Sequence, residues 1–524
     1  MMALKLFIKK IFHYRRITKD FINHNSIFFK KVKRSKKKKI LLEINNMRDS
    51  HIVYSYLSNI LSKKFDAEIY GFYPRYFNAF VNFFIFKIKL FFKIDYFKVY
   101  SSFNVSNFIY PKNILKHKIL FKIKKKIFDN LKTKNDIYDI SISNINIGDL
   151  IYDAYLRRYN LPTINIKEKR FSIFIERIIT LFNFWEEYLK NNEVKAVIVS
   201  HTTYEFGIIL RISTHLNIPT YSASPVFLYN HDKNNLTSFE MKEYKKEFSL
   251  FPIHEQETKK GISRKMLKQK FSGKKTIENK VSLLPSSKLF GEFKKVKRVV
   301  AESNNTKCLI AAHHFSDAPN AWGRLLFNDF YDWINFLGNL SDELDYDWYI
   351  KFHPMDHEAN KEIANYFLKK FKNFNLVNPN ISHDQLISEG IDLVLTAYGT
   401  IGMEYAFHQI PVINASINNP HISYNFNHSP KNLKEYKESI LNFKNLDINY
   451  SKDEIEEYFY MRYLNAFYLY SDEITNSEIE LTQTPLAYSR WLGLFNKNIH
   501  NDLSEKIEKF IISKKFKLVD ENKL

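Results

Sequence analysis

Short, largely apolar runs recur along the chain, each followed by a longer stretch whose apolar residues are spaced by three or four. The first run is Ile40-Leu41-Leu42-Glu43-Ile44, closed by Asn45-Asn46, and the helical spacing of Val53, Leu57, Ile60 and Leu61 leads from it to a second run at Ala67 to Phe72. Ala196 to Ser200 is followed in the same way by Phe206, Ile209, Leu210 and Ile212, then by Asn217-Ile218-Pro219 and another run. An apolar run bounded by turn residues is what a strand buried on both faces requires, and its alternation with helices predicts parallel sheets. A second series starts at Lys307 to Ala312 and continues through Asp347 to Phe352, Leu376-Val377, Leu393 to Leu395 and Val412-Ile413. Helical stretches lie between these runs, among them Leu325 to Leu340 and Ile401 to His408. The polar segment from Asn230 to Arg298 separates the two series, and helical spacing returns after Asp453. The pattern predicts an α/β protein with two Rossmann-like domains. It divides the chain into a basic amphipathic arm at 1–36, a first domain at 37–298, a second at 299–450, and helices at 451–524 that pack back across the junction.

Composition supports two full cores: 524 residues, of which 45% are hydrophobic and 16% aromatic, exclude a largely disordered chain. The net charge of +23 is compatible with an anionic partner such as nucleic acid, a membrane surface or a phosphorylated donor, and equally with ordinary solvated faces in a chain whose Lys-, Asn- and Ile-rich bias an AT-rich genome would produce. No compact zinc-finger or RNP-type signature accompanies that charge, so a nucleic-acid-binding protein is the weakest reading. The lone cysteine, Cys308, excludes a disulfide framework and fits a reducing cytoplasm. No run of apolar residues is long enough to span a bilayer. Two basic amphipathic stretches, Met1 to Phe29 and Phe83 to Phe97, fit either an anionic membrane interface or a core helix with snorkelling lysines.

Candidate chemistry falls at the ends of the expected strands, where ligands of parallel sheets bind. In Leu393 to Glu404 a strand enters a turn at Thr396-Ala397-Tyr398-Gly399-Thr400 and a helix follows. Gly399 gives a ligand room to approach the backbone, the helix start and the Thr396 or Thr400 hydroxyl suit a phosphate, and Glu404 suits ribose hydroxyls. The alternative is a plain turn with Thr400 as a helix cap. Lys351-Phe352-His353-Pro354 ends another strand, the proline holding His353 extended for phosphate contact or leaving-group protonation and Lys351 adding charge. His313-His314 with Asp317 ends a third strand, but no spacing here matches a zinc signature and the expected chemistry is metal-independent. In the first domain Asp49 is the first candidate for the base and His201 the second. His51, Glu205 and the segment Gly148 to Arg158, with Asp149 and Asp153, are weaker candidates that caps and ion pairs explain equally well.

On His353-Pro354 and the Thr396 to Thr400 turn with Glu404, the chain resembles the bacterial capsule and surface-polysaccharide transferases of the GT-B type. These include the Kdo-transferring capsule proteins, sialyl- and polysialyltransferases, and CDP-glycerol glycerophosphotransferases. The likeness is concentrated in Cys308 to Tyr424 and is weaker in Ala196 to Ser224. It implies two facing domains and a nucleotide phosphate held by His353 and Thr400; the strand-end residues Lys351, Tyr398 and His313 are the further donor-side candidates. It also implies transfer from a CMP- or UDP-linked donor, a co-substrate rather than a cofactor, to a glycan or lipid-linked acceptor. Where the glycerophosphotransferases have paired serines this chain has Gly399-Thr400, so polyol-phosphate transfer is the alternative and sugar transfer the expectation.

Overall fold

The computed structural model describes residues 16–75, 80–92, 96–239, 241–274, 290, 297–352, 358–466, 469 and 487–519. The first series of runs forms a six-stranded sheet, built from β1 (Ser35–Glu43), β2 (Ala67–Phe72), β3 (Val105–Ile109), β6 (Glu193–Val199), β7 (Thr220–Ser224) and β8 (Phe227–His231). A small antiparallel hairpin, β4 (Ser141–Ile142) with β5 (Ile145–Asn146), lies apart from it. The spatial order is β3-β2-β1-β6-β7-β8, parallel throughout except for β8. The second series forms a five-stranded parallel sheet, β11-β10-β9-β12-β13, from β9 (Thr306–Ala311), β10 (Tyr346–Lys351), β11 (Phe374–Val377), β12 (Leu393–Thr396) and β13 (Val412–Asn414).

Each sheet is covered on both faces, which is why its strands read as unbroken apolar runs. Along β1, Ile40 and Leu42, with Ile44 just beyond the strand, enter one core and Leu41 the other; along β12, Leu393 and Leu395 enter one core and Val394 the other. These are the two Rossmann-like domains expected from the pattern. Cys308 is buried within β9. The strands β3 and β8 do not stand out in the sequence, because β3 is a half-exposed edge and β8 is a short hairpin return.

The C-terminal helices return to the first domain. Helix Ala487–Leu494 places Tyr488 OH 2.5 Å from His51 Nδ1, and helix Lys497–Ser513 begins beside Tyr56, whose hydroxyl lies 2.9 Å from His500 Nδ1. Beyond them the chain runs alongside β8, with Leu518 N donating to Leu228 O at 2.9 Å. Helix Ile253–Phe271, which precedes the expected boundary at 298, packs instead on helix Lys452–Phe459. Arg264 there grips both oxygens of Glu456 at 2.7 and 2.6 Å, and Lys260 reaches Asp453 at 2.8 Å.

The described part of the basic arm is a core element. Residues 16–28 are helical, with Ile17, Phe21, His24 and Asn25 buried. Phe21 stacks on Tyr488 with ring centroids 4.1 Å apart, and Trp491 donates to His24 Nε2 at 3.3 Å. Of the two readings open for this stretch, residues 16–28 take the core one; residues 1–15 lie outside the described residues. No described helix is long and apolar enough to cross a membrane. Truncating Phe21 leaves a cavity between the arm and the C-terminal helix, so Phe21→Ala is expected to lower the unfolding free energy by about 3–5 kcal/mol. Urea denaturation followed by circular dichroism measures this; a change under about 0.5 kcal/mol, as for a surface position, would mean that the arm is not docked.

Candidate functional site

Because both sheets are parallel, the loops leaving their carboxyl ends gather on one edge of each. These two edges meet. Tyr204, in the loop after β6, donates its hydroxyl to Asp317 Oδ1 in the loop after β9 at 2.7 Å. Helix Gly148–Tyr159 and its cap Asn160 add contacts to that loop: Ser316 donates to Asn160 Oδ1 and Asn320 Nδ2 to Asp153 Oδ1, both at 2.7 Å. Gly148 starts this helix because nothing larger fits: a Cβ there would sit 2.1 Å from the Ile137 carbonyl oxygen. Asp153 is buried, and burial holds its pKa well above the usual carboxylate range. The segment Gly148 to Arg158, which reads as weak surface chemistry in the sequence, is therefore a bridge between the domains.

On the second domain's side, His313 and the turn after β12 form one hydrogen-bonded unit. Gly399 N–H donates to Thr396 Oγ1 at 3.2 Å, and Thr396 Oγ1 lies 3.3 Å from His313 Nε2, which also receives the Tyr398 N–H at 3.5 Å. Accepting the Tyr398 N–H leaves Nε2 without a proton, which places the ring proton of His313 on Nδ1 and lets the Thr396 hydroxyl donate to Nε2. His313 lies flat on Phe330 at 5.0 Å and against Tyr398 at 4.6 Å, and Tyr398 donates to the Ala318 carbonyl at 2.8 Å. A Cβ on Gly399 would lie 2.9 Å from Thr396 Oγ1 and 3.6 Å from His313 Nε2. The side chain most open to a ligand is Thr400, which is exposed and makes no capping bond to helix Ile401–Phe407. Thr396 is fully buried and serves the turn rather than a ligand.

Two expected donor residues point elsewhere. Glu404 is buried and its Oε1 lies 2.8 Å from Lys270 Nζ, a cation brought by helix Ile253–Phe271 from far away in sequence. Lys351 is buried, donates to the Ile381 carbonyl, and has its pKa pushed down to about 8 by burial, which neighbouring Glu404 opposes. His314 turns away from His313 and sits 3.2 Å from Ser316 Oγ. His353 lies outside the described residues.

On the first domain's side, His201 has an exposed surface, yet the atoms packed around it and the nearby cations Arg75 and Arg157 lower its pKa. Beside it Glu205 is buried between Arg158, at 2.5 Å, and Arg75, at 3.5 Å, while Arg75 also lies over the Phe206 ring at 4.5 Å. His201 is thus neutral near pH 7 and able to take up a proton. Asp49 is placed differently: it is buried near Arg48 and Arg490, and burial raises its pKa to about 6. His51 accompanies it under the C-terminal helix, between Tyr488 and the Asn45 carbonyl.

Sequence reasoning missed Glu43. At the end of β1 it accepts the Ser200 N–H at 2.8 Å and the Ser200 hydroxyl at 2.5 Å, and it has no solvent exposure. A carboxylate inside an apolar run is the signal that was available, since such a group is rarely buried without a partner. Sequence reasoning also gave no weight to Arg75 and Tyr204, single residues in loops that only the fold brings to the cleft.

No family model matches the sequence, and no curated protein does. Among solved structures, the chain is similar to the UDP-GlcNAc 2-epimerase of Methanocaldococcus jannaschii in complex with UDP-GlcNAc and UDP, at 14% identity and a TM-score of 0.26 over 80% of this chain and 97% of that one. It is similar also to a glycosyltransferase from Rickettsia africae, at 11% identity and a TM-score of 0.26 over 86% and 99%. A wall teichoic acid polymerase matches at 11% identity and a TM-score of 0.20 over 96% and 98%. Scores this low place no residue of this chain on a counterpart, so the chemistry of the cleft rests on its own geometry.

Burial pushes the Glu43 carboxyl up from 4.5 to about 7, against the lowering effect of Ser200. Its folded pKa lies above its unfolded one, so it leaves stability unaffected below the unfolded pKa and lowers it progressively as pH rises through that window. The loss is expected to reach about 3 kcal/mol above the folded pKa, and Glu43→Gln is expected to flatten this part of the pH profile. Urea unfolding at about pH 5 and about pH 8 measures it; an unchanged profile in Glu43→Gln would assign the slope to other groups.

Proposed function

We propose that this chain is a glycosyltransferase-type enzyme that moves a sugar from a nucleotide donor to a surface-glycan acceptor. The observation that carries this reading is the meeting of two parallel-sheet carboxyl edges at the Tyr204 to Asp317 contact, with the His313 and Gly399 turn on one side and His201 with its arginines on the other. Such a cleft presents a phosphate to one domain and an acceptor to the other. The donor phosphate lies over Gly399 and Thr400, where the exposed hydroxyl donates to it. His353, which follows β10 in sequence, supplies a second donor through the resemblance already described. Arg75 and Arg157 offset charge that develops on the leaving phosphate. His201, held neutral by its surroundings, takes the proton of the acceptor hydroxyl as the new bond forms, and it replaces Asp49 as first choice because Asp49 is enclosed beneath the C-terminal helix. Glu404, engaged by Lys270, is left out of ribose recognition in this reading.

Calorimetric titration with CMP, CDP and UDP tests the donor half. Gly399→Val is expected to abolish nucleotide binding. Thr400→Val is expected to weaken nucleotide by roughly 10- to 150-fold while leaving free nucleoside unchanged, the equivalent of about 1.5–3 kcal/mol for one bond to a charged oxygen. Equal affinities in Thr400→Val and wild type would move the phosphate away from this turn. For the acceptor half, His201→Ala is expected to lower kcat by about 100-fold or more with nucleotide affinity intact; normal turnover in this variant would remove His201 from the mechanism. Phosphodiester linkages in the product would mark polyol-phosphate transfer, and turnover of the donor without acceptor would mark an epimerase.

A further inference from the structure

One edge of the first domain is strongly basic. Residues 83–130 contain eleven lysines against two aspartates and no glutamate. In the fold this segment brackets β3, the edge strand of the first sheet: helix Phe80–Phe91 stands before it and helix His117–Asn130 after it. Tyr110, just beyond β3, packs on the first of these helices: Lys87 Nζ lies 4.4 Å over its ring and Phe86 lies against it at 5.9 Å.

Both helices expose apolar side chains next to those lysines. Phe91 is 81% and Phe92 66% exposed at the end of the first, and Phe121 is 61% exposed on the second, with Ile88 and Ile119 also exposed. Helix His117–Asn130 rests on helix Lys169–Asn191 through Leu120, Ile123, Ile127 and Phe128, so its opposite arc carries Lys118, Lys122, Lys125 and Lys126. None of its residues is fully buried. Leaving several large apolar groups together in water is unfavourable unless a partner covers them.

We propose that this β3 edge is the docking surface for an anionic lipid bilayer, with Phe91, Phe92 and Phe121 entering the headgroup and acyl boundary and the lysine arc facing the phosphates. The combination fits an interface in which apolar groups gain hydrocarbon contact while cations gain a negative surface potential. A nucleic acid would satisfy the lysines and could stack on the aromatics, but it offers nothing to Ile88 and Ile119, which have no flat face. The N-terminal arm does not compete for this role over residues 16–28, whose apolar side is already spent on Tyr488 and the core.

Sedimentation of the full-length protein with phosphatidylcholine vesicles, with and without phosphatidylglycerol, tests the proposal. Wild type is expected to bind only the anionic vesicles. Phe91→Ser combined with Phe92→Ser, and separately Lys118→Glu combined with Lys122→Glu and Lys125→Glu, are each expected to lower partitioning by about tenfold or more. Raising salt should abolish the difference between the lysine variant and wild type but not that of the phenylalanine variant. All the substituted residues are exposed, and circular dichroism checks that the fold persists. Should the paired serine variant unfold, Phe92→Trp provides a second readout, since brominated lipid is expected to quench its fluorescence beyond that of wild type. Wild-type vesicle binding that either variant retains in full, no binding by wild type, absence of extra quenching, or binding to polyuridine that is indifferent to the phenylalanine pair would each overturn the proposal.

Discussion

Asp329 has no solvent exposure and divides its two oxygens between two domains. Its Oδ1 accepts the Asp332 N–H at 2.8 Å and so caps helix Phe330–Ser341, while Oδ2 accepts the hydroxyls of Tyr152 and Thr163, both at 2.6 Å, with Lys134 Nζ at 3.4 Å. Burial and the neighbouring Asp332 raise its pKa, and Lys134 opposes them. A charge taken out of water is tolerated only while these partners stay in place, and losing one leaves the others facing an incompletely bonded carboxylate. The effect is geometric more than energetic. The helix that supports His313 through Phe330 cannot move relative to helix Gly148–Tyr159 without breaking that set, so the separation of the two sheet edges is fixed from beside the cleft.

Within the cleft the same residue types are divided between holding the fold and remaining open to a ligand. Thr396 and Thr400 differ by four positions and are equally attractive as phosphate donors in the sequence, yet one is consumed by the turn and the other is exposed. Glu404 and Lys351 are similarly committed, to Lys270 and to the Ile381 carbonyl. Glu205 anchors Arg75, which with burial and Arg157 lowers the pKa of His201, and it pairs also with Arg158. The electrostatic design of the cleft is therefore local, made of short paired contacts, while a dense run of unbalanced lysines lies outside it, along the β3 edge.

What the sequence determined by itself is the set of strands and their order of appearance. Runs such as Ile40 to Ile44 and Leu393 to Leu395 had to be buried on both faces, because an unbroken apolar strand has no side to show to water, and that requirement implied parallel sheets with helices on both faces. The placement of Gly399 and His313 at strand ends followed from the same pattern, and it is correct in the structure. Partners distant along the chain were not legible. Nothing near Glu404 announces Lys270, nothing near Phe21 announces Tyr488, and Asp153 becomes a bridge only when Asn320 is folded against it. Periodicity reports whether a residue faces inward or outward from its own element, and it carries no information about which other element waits there. Whether a carboxylate, lysine or hydroxyl is spent on structure or left for a ligand is set by that second element, and so only the tertiary structure could decide it.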